Sequence, residues 1–140
     1  MSRRFSHVVV TVPAELLSDS RKAEWLAFYE SVFGWTENEA LGILGERVVV
    51  QVPVEGDAQY VTVRASAAPM KTSGYEHLGI WVESESAVKA LYERARRYAD
   101  QDPAVELADL EVLYGGSLHT FRVRYVLPLA IEVQCLVPPG

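Results

Sequence analysis

The chain has 140 residues, with 13 basic and 19 acidic side chains and a formal charge of −6. Its hydrophobic fraction of 49% supplies enough apolar surface for a folded core, which excludes disorder as the main state. The acidic balance argues against nucleic acid as a partner, and the lack of a long apolar run argues against a membrane. Cys135 is the single cysteine, so an intramolecular disulfide is excluded. We expect a soluble, cytoplasmic protein.

The first half of the chain predicts the element order β-α-β-β-β. The predicted elements are a strand over 5–12, a helix over 20–33, a strand and turn over 35–44, and strands over 47–54 and 59–65. The first strand is rich in β-branched residues and places His7 on the face opposite Val8, Val10 and Val12. Apolar residues at helical spacing define the helix, and Gly34 provides its C-terminal stop.

The second half of the chain predicts the same order again. Its predicted elements are a strand over 77–82, a helix over 88–98, and strands over 107–113, 118–126 and 129–137. Ser84 and Ser86 are candidate caps for this second helix. Tyr125 falls on the helix-facing side of its predicted strand, and His119 is expected at the rim or surface.

The two halves form an internal repeat in which a histidine opens each first strand. His7 and His77 stand 70 residues apart, which is half the length of the chain. In both strands the apolar residues face away from the histidine. This pattern predicts sheets whose apolar face is covered by a helix while the opposite face carries a histidine and encloses a site.

Four segments resemble the vicinal oxygen chelate superfamily, which includes glyoxalase I, fosfomycin-inactivating transferases, extradiol dioxygenases and bleomycin-binding proteins. The segments are HVVVTV at 7–12, FYESVFGW at 28–35, HLGIWV at 77–82 and AIEVQ at 130–134. The resemblance implies an α+β fold in which two βαβββ modules form a curved, cup-like mixed sheet with helices outside. We expect one domain over 1–140, with module one at 5–66 and module two at 75–137, and a homodimer.

The same resemblance implies a metal site. In metal-dependent members, two strand-opening histidines and a carboxylate of the last strand bind one divalent cation, and these positions are His7, His77 and Glu132 here. Such a mixed nitrogen and oxygen set suits Mn, Fe, Co, Ni or Zn. Four-ligand members carry a further Glu or Gln in the last strand of module one. Thr62 stands at that position, which favours three-ligand chemistry.

The residues expected to contact a substrate are Thr62, Arg64, Trp81, Arg122 and Arg124. Trp81 shares a face with His77 and could wall the pocket as an aromatic surface. If the arginines of the strands face the cup, the cavity becomes cationic and favours an anionic substrate. The alternative is that these arginines lie on a solvated outer face of the sheet.

The resemblance therefore predicts a metal-dependent small-molecule enzyme that chelates its substrate through vicinal oxygens. Its chemistry would be that of a lyase, isomerase, transferase or dioxygenase. The alternative is a metal-free protein that binds or sequesters a small molecule, as bleomycin-resistance proteins do. In that alternative, Trp81, Tyr60 and Tyr125 are the candidate stacking surfaces.

Overall fold

The computed structural model describes residues 3–43 and 46–138, which divide into two compact units, one up to Lys71 and one from Thr72. The first unit contains β1 His7–Val12, α1 Asp19–Phe33, β2 Thr36–Glu37, β3 Arg47–Val52 and β4 Gln59–Ala65. The second contains β5 His77–Trp81, α2 Glu85–Gln101, β6 Glu106–Leu107, β7 Glu111–Leu113, β8 Leu118–Arg124 and β9 Ala130–Leu136. Short 3-10 helices span Ala14–Leu17, Glu39–Leu41 and Tyr114–Gly116. Each unit has one sheet and one long helix, which confirms the predicted α+β class.

The first unit has a mixed four-stranded sheet in the order β1-β4-β3-β2. Its core is formed by the apolar stripe of α1 and by valines of the sheet, and the buried helix residues are Trp25, Phe28, Tyr29 and Val32. The helix ends where Gly34 adopts a φ of 73°, a left-handed conformation that glycine reaches without steric cost. The predicted helix over 20–33 is confirmed.

The register of the first sheet fixes which side chains share its other face. β1 and β4 run parallel, and His7 lies opposite Tyr60 while Val9 lies opposite Thr62. Arg64 follows two residues after Thr62, so it points in the same direction. His7, Thr62 and Arg64 therefore lie on one face of the first sheet, as the alternation of the sequence predicts.

The second unit has a sheet in the order β5-β9-β8-β6, and β7 also pairs with β8. β5 and β9 are parallel, and the remaining pairs are antiparallel. Ser84 caps the N-terminus of α2, since its hydroxyl accepts a hydrogen bond from the backbone N–H of Ala87. The helix buries Val88 and Ala95 completely. Among the described residues, no helix is both long and apolar enough to cross a membrane.

Two predicted segments form different elements in the structure. The segment over 35–44 contributes only Thr36–Glu37 to the sheet before a 3-10 helix, and residues 44–45 lie outside the described part of the chain. The single strand predicted over 107–113 is wrong, because β6 and β7 are separate. Between them lies Ala-Asp-Leu, in which alanine and aspartate have low strand propensity.

The structure corrects the stacking role expected of Tyr125 and the position expected of His119. Tyr125 is fully buried and donates a hydrogen bond from its hydroxyl to Asp102 at 2.6 Å, so it is not a stacking surface for a ligand. His119 is 8% exposed, and its Nδ1 lies 3.8 Å from Oε1 of Glu85 at the start of α2. It belongs to the helix-covered side of the sheet, so the prediction of a rim or surface position is wrong.

Candidate functional site

The second unit brings His77 into direct contact with Glu132. The two residues lie on neighbouring parallel strands, where Glu132 pairs with Gly79, two residues after His77. Because alternate residues of a strand point in the same direction, both side chains lie on the face opposite α2. Nε2 of His77 lies 2.7 Å from Oε2 of Glu132. Two of the three predicted metal ligands are thus in contact.

The other ring nitrogen of His77 is held by the backbone. Nδ1 lies 2.8 Å from the carbonyl oxygen of Tyr75. A carbonyl oxygen only accepts, so Nδ1 carries a proton and donates it. Nε2 lies at hydrogen-bond distance from Oε2 of Glu132, and both are ligand atoms of the kind that bind a divalent cation. Histidine ligands of metals typically show this arrangement, with one nitrogen donating to a carbonyl and the other available to the metal.

Glu132 is oriented by hydrogen bonds to its second oxygen. Oε1 accepts from Gln134 at 2.6 Å and from the hydroxyl of Thr120 at 3.1 Å, while Oε2 faces His77. The Glu132 side chain is only 15% exposed, and a carboxylate at that depth requires such partners. The sequence reasoning did not identify Gln134 or Thr120. Gln134 could have been found, because it follows Glu132 by two residues on the same strand.

Arg122 is the cross-strand neighbour of Glu132, and its guanidinium lies 5.2 Å from the ring centroid of Tyr75. Tyr75 in turn makes an edge contact with the ring of His77. Tyr75 precedes the strand, so no periodicity pointed to it. Arg122 thus lies on the face that carries Glu132, opposite α2.

Arg124 lies on the same face but is already paired with an acid. Its Nε donates to Glu106 of the adjacent strand, and a terminal guanidinium nitrogen lies 3.5 Å from the hydroxyl of Thr72. The hydrogen bond from Arg124 holds the pKa of Glu106 below its ordinary value. The two predicted arginines therefore differ in their environment.

An open cavity of about 450 Å³ lies beside these two arginines. It is bounded by the loop before β5, by β6 and by β8, and its lining includes Ser73, Gly74, Arg122, Arg124 and Ala130. Trp81 is two-thirds exposed and shares its direction with His77, as predicted. Contact of Trp81 or of the arginines with a substrate stays a prediction.

The remaining predicted ligand, His7, belongs to the first unit. Its side chain is exposed, and Nδ1 lies 2.8 Å from the hydroxyl of Ser6. Across residues 3–43 and 46–138, the structure gathers no three histidine, cysteine, aspartate or glutamate side chains that could hold a metal ion. The roles of His7 as a ligand, and of Thr62 and Arg64 as substrate contacts, stay predictions.

The donor set of the second unit fits a divalent ion. It offers one imidazole nitrogen whose partner nitrogen is fixed by a carbonyl, and one carboxylate oxygen whose partner oxygen accepts two hydrogen bonds. Nitrogen and oxygen donors of this type suit first-row transition metals. Two protein ligands leave coordination positions for a further side chain and for oxygen atoms of a substrate.

Comparison with known proteins gives a match to one family model over most of the chain. The model is that of the Glyoxalase/Bleomycin resistance protein/Dioxygenase superfamily, and it matches residues 4–101. The comparison with curated proteins gives no match.

Solved structures extend the likeness to the whole chain. A glyoxylase/bleomycin resistance protein/dioxygenase domain from Frankia sp. is 17% identical, with a TM-score of 0.66 over 98% of this chain and 100% of that one. Lactoylglutathione lyase from Agrobacterium tumefaciens is 14% identical, with a TM-score of 0.64 over 96% and 94% of the two chains.

A third structure is a mutant of FosX, a fosfomycin resistance protein from Listeria monocytogenes, complexed with Mn(II) and 1S,2S-dihydroxypropylphosphonic acid. It is 16% identical, with a TM-score of 0.65 over 99% of this chain and 94% of that one. At these identities, the three structures show a shared fold.

Proposed function

The chain belongs to the Glyoxalase/Bleomycin resistance protein/Dioxygenase superfamily, the vicinal oxygen chelate superfamily, and on that premise we propose that it is a metal-dependent enzyme acting on a small molecule. The predicted resemblance is thereby confirmed at the level of the family. The substrate would be a compound that presents two neighbouring oxygen atoms. Membership of the family limits the reaction to that of a lyase, isomerase, transferase or dioxygenase and does not select one of these classes.

The observation that carries this proposal is the contact between His77 and Glu132. A histidine and a glutamate that stand far apart in the sequence meet at 2.7 Å on one sheet face. The carbonyl of Tyr75 orients the imidazole, and Thr120 and Gln134 orient the carboxylate. Support of this kind on both residues is typical of metal ligands, whose affinity depends on such outer partners.

We propose that His77 and Glu132 hold one divalent ion, of Mn, Fe, Co, Ni or Zn, and that His7 is the third ligand. The neighbour FosX, which has the same fold, was solved with Mn(II). When bound, the ion supplies Lewis acidity to the oxygen atoms of a substrate. The hydrogen bonds from Thr120 and Gln134 hold the carboxylate of Glu132 with Oε2 toward His77. The carbonyl of Tyr75 holds the imidazole of His77 with Nε2 toward that carboxylate.

A second candidate function is metal-free binding or sequestration of a small molecule. The observation that favours it is that the pair is complete by itself, since a protonated His77 satisfies the carboxylate of Glu132 directly. Trp81 is exposed on the same face, and Tyr60 lies half-buried on the first sheet, so both offer aromatic surface for a planar ligand.

Titration of the chelator-treated protein with Ni²⁺, followed by calorimetry, separates the two functions. The enzyme proposal expects one ion per chain in the wild type and loss of that binding in His77→Ala. A matched control is Glu111→Gln, which alters an exposed carboxylate of the same sheet and should leave the titration unchanged. Absence of stoichiometric binding in the wild type would favour the sequestration function instead.

The finer predictions on partners belong to this proposal as well. We propose an anionic substrate, a homodimeric assembly and a cytoplasmic location. The first is supported by Arg122 of β8, and the phosphonate bound by FosX is an example of such a ligand in a protein of this fold.

A further inference from the structure

We propose that the cavity beside Arg122 binds the anionic group of the substrate, a carboxylate, phosphonate or phosphate, and that Arg122 rather than Arg124 recognises its charge. The inference rests on the proposed function, because it specifies the charge and the position of one part of the ligand. It distinguishes between two arginines that the sequence treats as equivalent.

The two arginines differ in their ion-pair partners. Arg124 donates to the carboxylate of Glu106, so its charge is largely neutralised and its guanidinium is held at the edge of the sheet. Across the part of the chain that the structure describes, no acidic side chain forms an ion pair with Arg122, whose described contact is with the ring of Tyr75. An arginine in a cavity without a carboxylate partner is a ready receptor for an anion.

The ring of Tyr75 orients the guanidinium of Arg122. The guanidinium carbon lies 5.2 Å from the ring centroid, within the range of a cation–π contact. A guanidinium packed on an aromatic ring keeps its N–H groups in its own plane, and these groups can donate in pairs to an anion. Since Tyr75 also contacts the ring of His77, one aromatic side chain adjoins both the charge-recognising residue and the candidate ligand.

The position of Arg122 in the sheet also supports the inference. Arg122 pairs across the strands with Glu132, so the two side chains leave neighbouring positions on the same face of the sheet. The cavity of about 450 Å³ is lined by Arg122, by Ser73, Gly74 and Ala130, and by the ion pair of Arg124 with Glu106. Its volume is within the usual range for small-molecule sites. A compound bound through two oxygens at Glu132 and His77 would therefore place an attached anionic group beside Arg122.

Binding of inorganic phosphate to the chelator-treated protein tests the inference without metal. We expect measurable binding by calorimetry in the wild type, a loss of tenfold or more in Arg122→Gln, and partial recovery in Arg122→Lys, which restores the charge without the planar fork. The matched control is the double variant Glu106→Gln, Arg124→Gln. It removes both members of the neighbouring pair, leaves the net charge unchanged, and should change phosphate affinity by less than threefold.

Three results would overturn the inference. They are no phosphate binding in the wild type, equal binding in Arg122→Gln, or an equal loss in the control variant. Thermal melts of each variant show whether a loss reflects unfolding, and Arg122→Lys covers the case in which Arg122→Gln does not fold. Titration of the same variants with Ni²⁺ keeps the two proposals apart, because a wild type that binds phosphate but not Ni²⁺ refutes the metal function alone.

Discussion

Replacement of Glu132 by glutamine should weaken metal binding strongly while leaving the metal-free fold intact. The amide keeps a carbonyl oxygen for the hydrogen bonds from Thr120 and Gln134. Its NH₂ group can donate to Nε2 of a neutral His77, whose Nδ1 continues to donate to the carbonyl of Tyr75. Since every hydrogen bond has a replacement, we expect Glu132→Gln to melt close to the wild type in the presence of a chelator.

The effect should appear when metal is added. An ion present at about 100 times its Kd stabilises the folded wild type by about 2.7 kcal/mol. For a chain of this size, that corresponds to a rise in Tm of roughly 8 °C, at about 3 °C per kcal/mol. If the lost carboxylate weakens binding by about 100-fold, the same metal concentration equals the new Kd, and the gain falls to about 0.4 kcal/mol, or roughly 1 °C.

Thermal melts followed by circular dichroism, with chelator and with Ni²⁺ or Mn²⁺, measure both quantities. Glu111→Gln removes a negative charge from an exposed position of the same sheet, so it should retain the full metal-dependent shift. The reasoning would be refuted by a wild type whose Tm does not respond to metal, or by a Glu132→Gln protein that keeps the full shift.

Three further outcomes are expected. His7→Ala should lower Ni²⁺ affinity by at least tenfold without lowering the chelator-treated Tm, since His7 is exposed and its described hydrogen bond is to the adjacent Ser6; unchanged affinity would remove His7 from the ligand set. The hydrogen bond from Tyr125 lowers the pKa of Asp102, so this stabilisation is present above the ordinary pKa of about 3.8 and is lost as the pH falls through the folded value. As the pH is lowered from about 5 to about 2, roughly one to two units on either side of that ordinary pKa, the urea midpoint of Tyr125→Phe should therefore fall less than that of the wild type. A midpoint that falls as steeply as in the wild type would contradict the assignment. Gly34→Ala should lower stability by about 1 kcal/mol, because its φ of 73° strains any residue with a Cβ, and denaturant melts showing no loss would contradict this.

The faces of the strands could be predicted because their side chains alternate with a period of two. This rule correctly placed His77 and Trp81 together on β5, and it placed Arg122 and Arg124 on the side opposite the buried Phe121. Cys135, three residues after Glu132, follows the same rule, since it is buried on the helix-covered side. Such predictions need only one strand and no knowledge of its neighbours.

What depended on pairing between strands could not be predicted. The hydrogen bond from Thr120 to Glu132 follows from the register of β8 against β9, which is set by the turn between them. In that turn Val126 adopts a φ of 63°, a left-handed conformation that is rare for a β-branched residue and cannot be predicted from its presence in the sequence. Partners outside strands were hidden too, since Tyr75 and Asp102 lie in loops that carry no periodic signal.

The parallel pairing of β5 with β9 has a kinetic consequence. The first strand of the second unit pairs with the last, so His77 and its partner Ala130 are separated in the chain by α2 and by the strands β6 to β8. Contacts between distant parts of a chain form slowly, because the loop between them must first be closed. We therefore expect the contact between His77 and Glu132 to be absent from the folding transition state. A bound ion should then prolong the lifetime of the native state by slowing unfolding, and leave the folding rate almost unchanged.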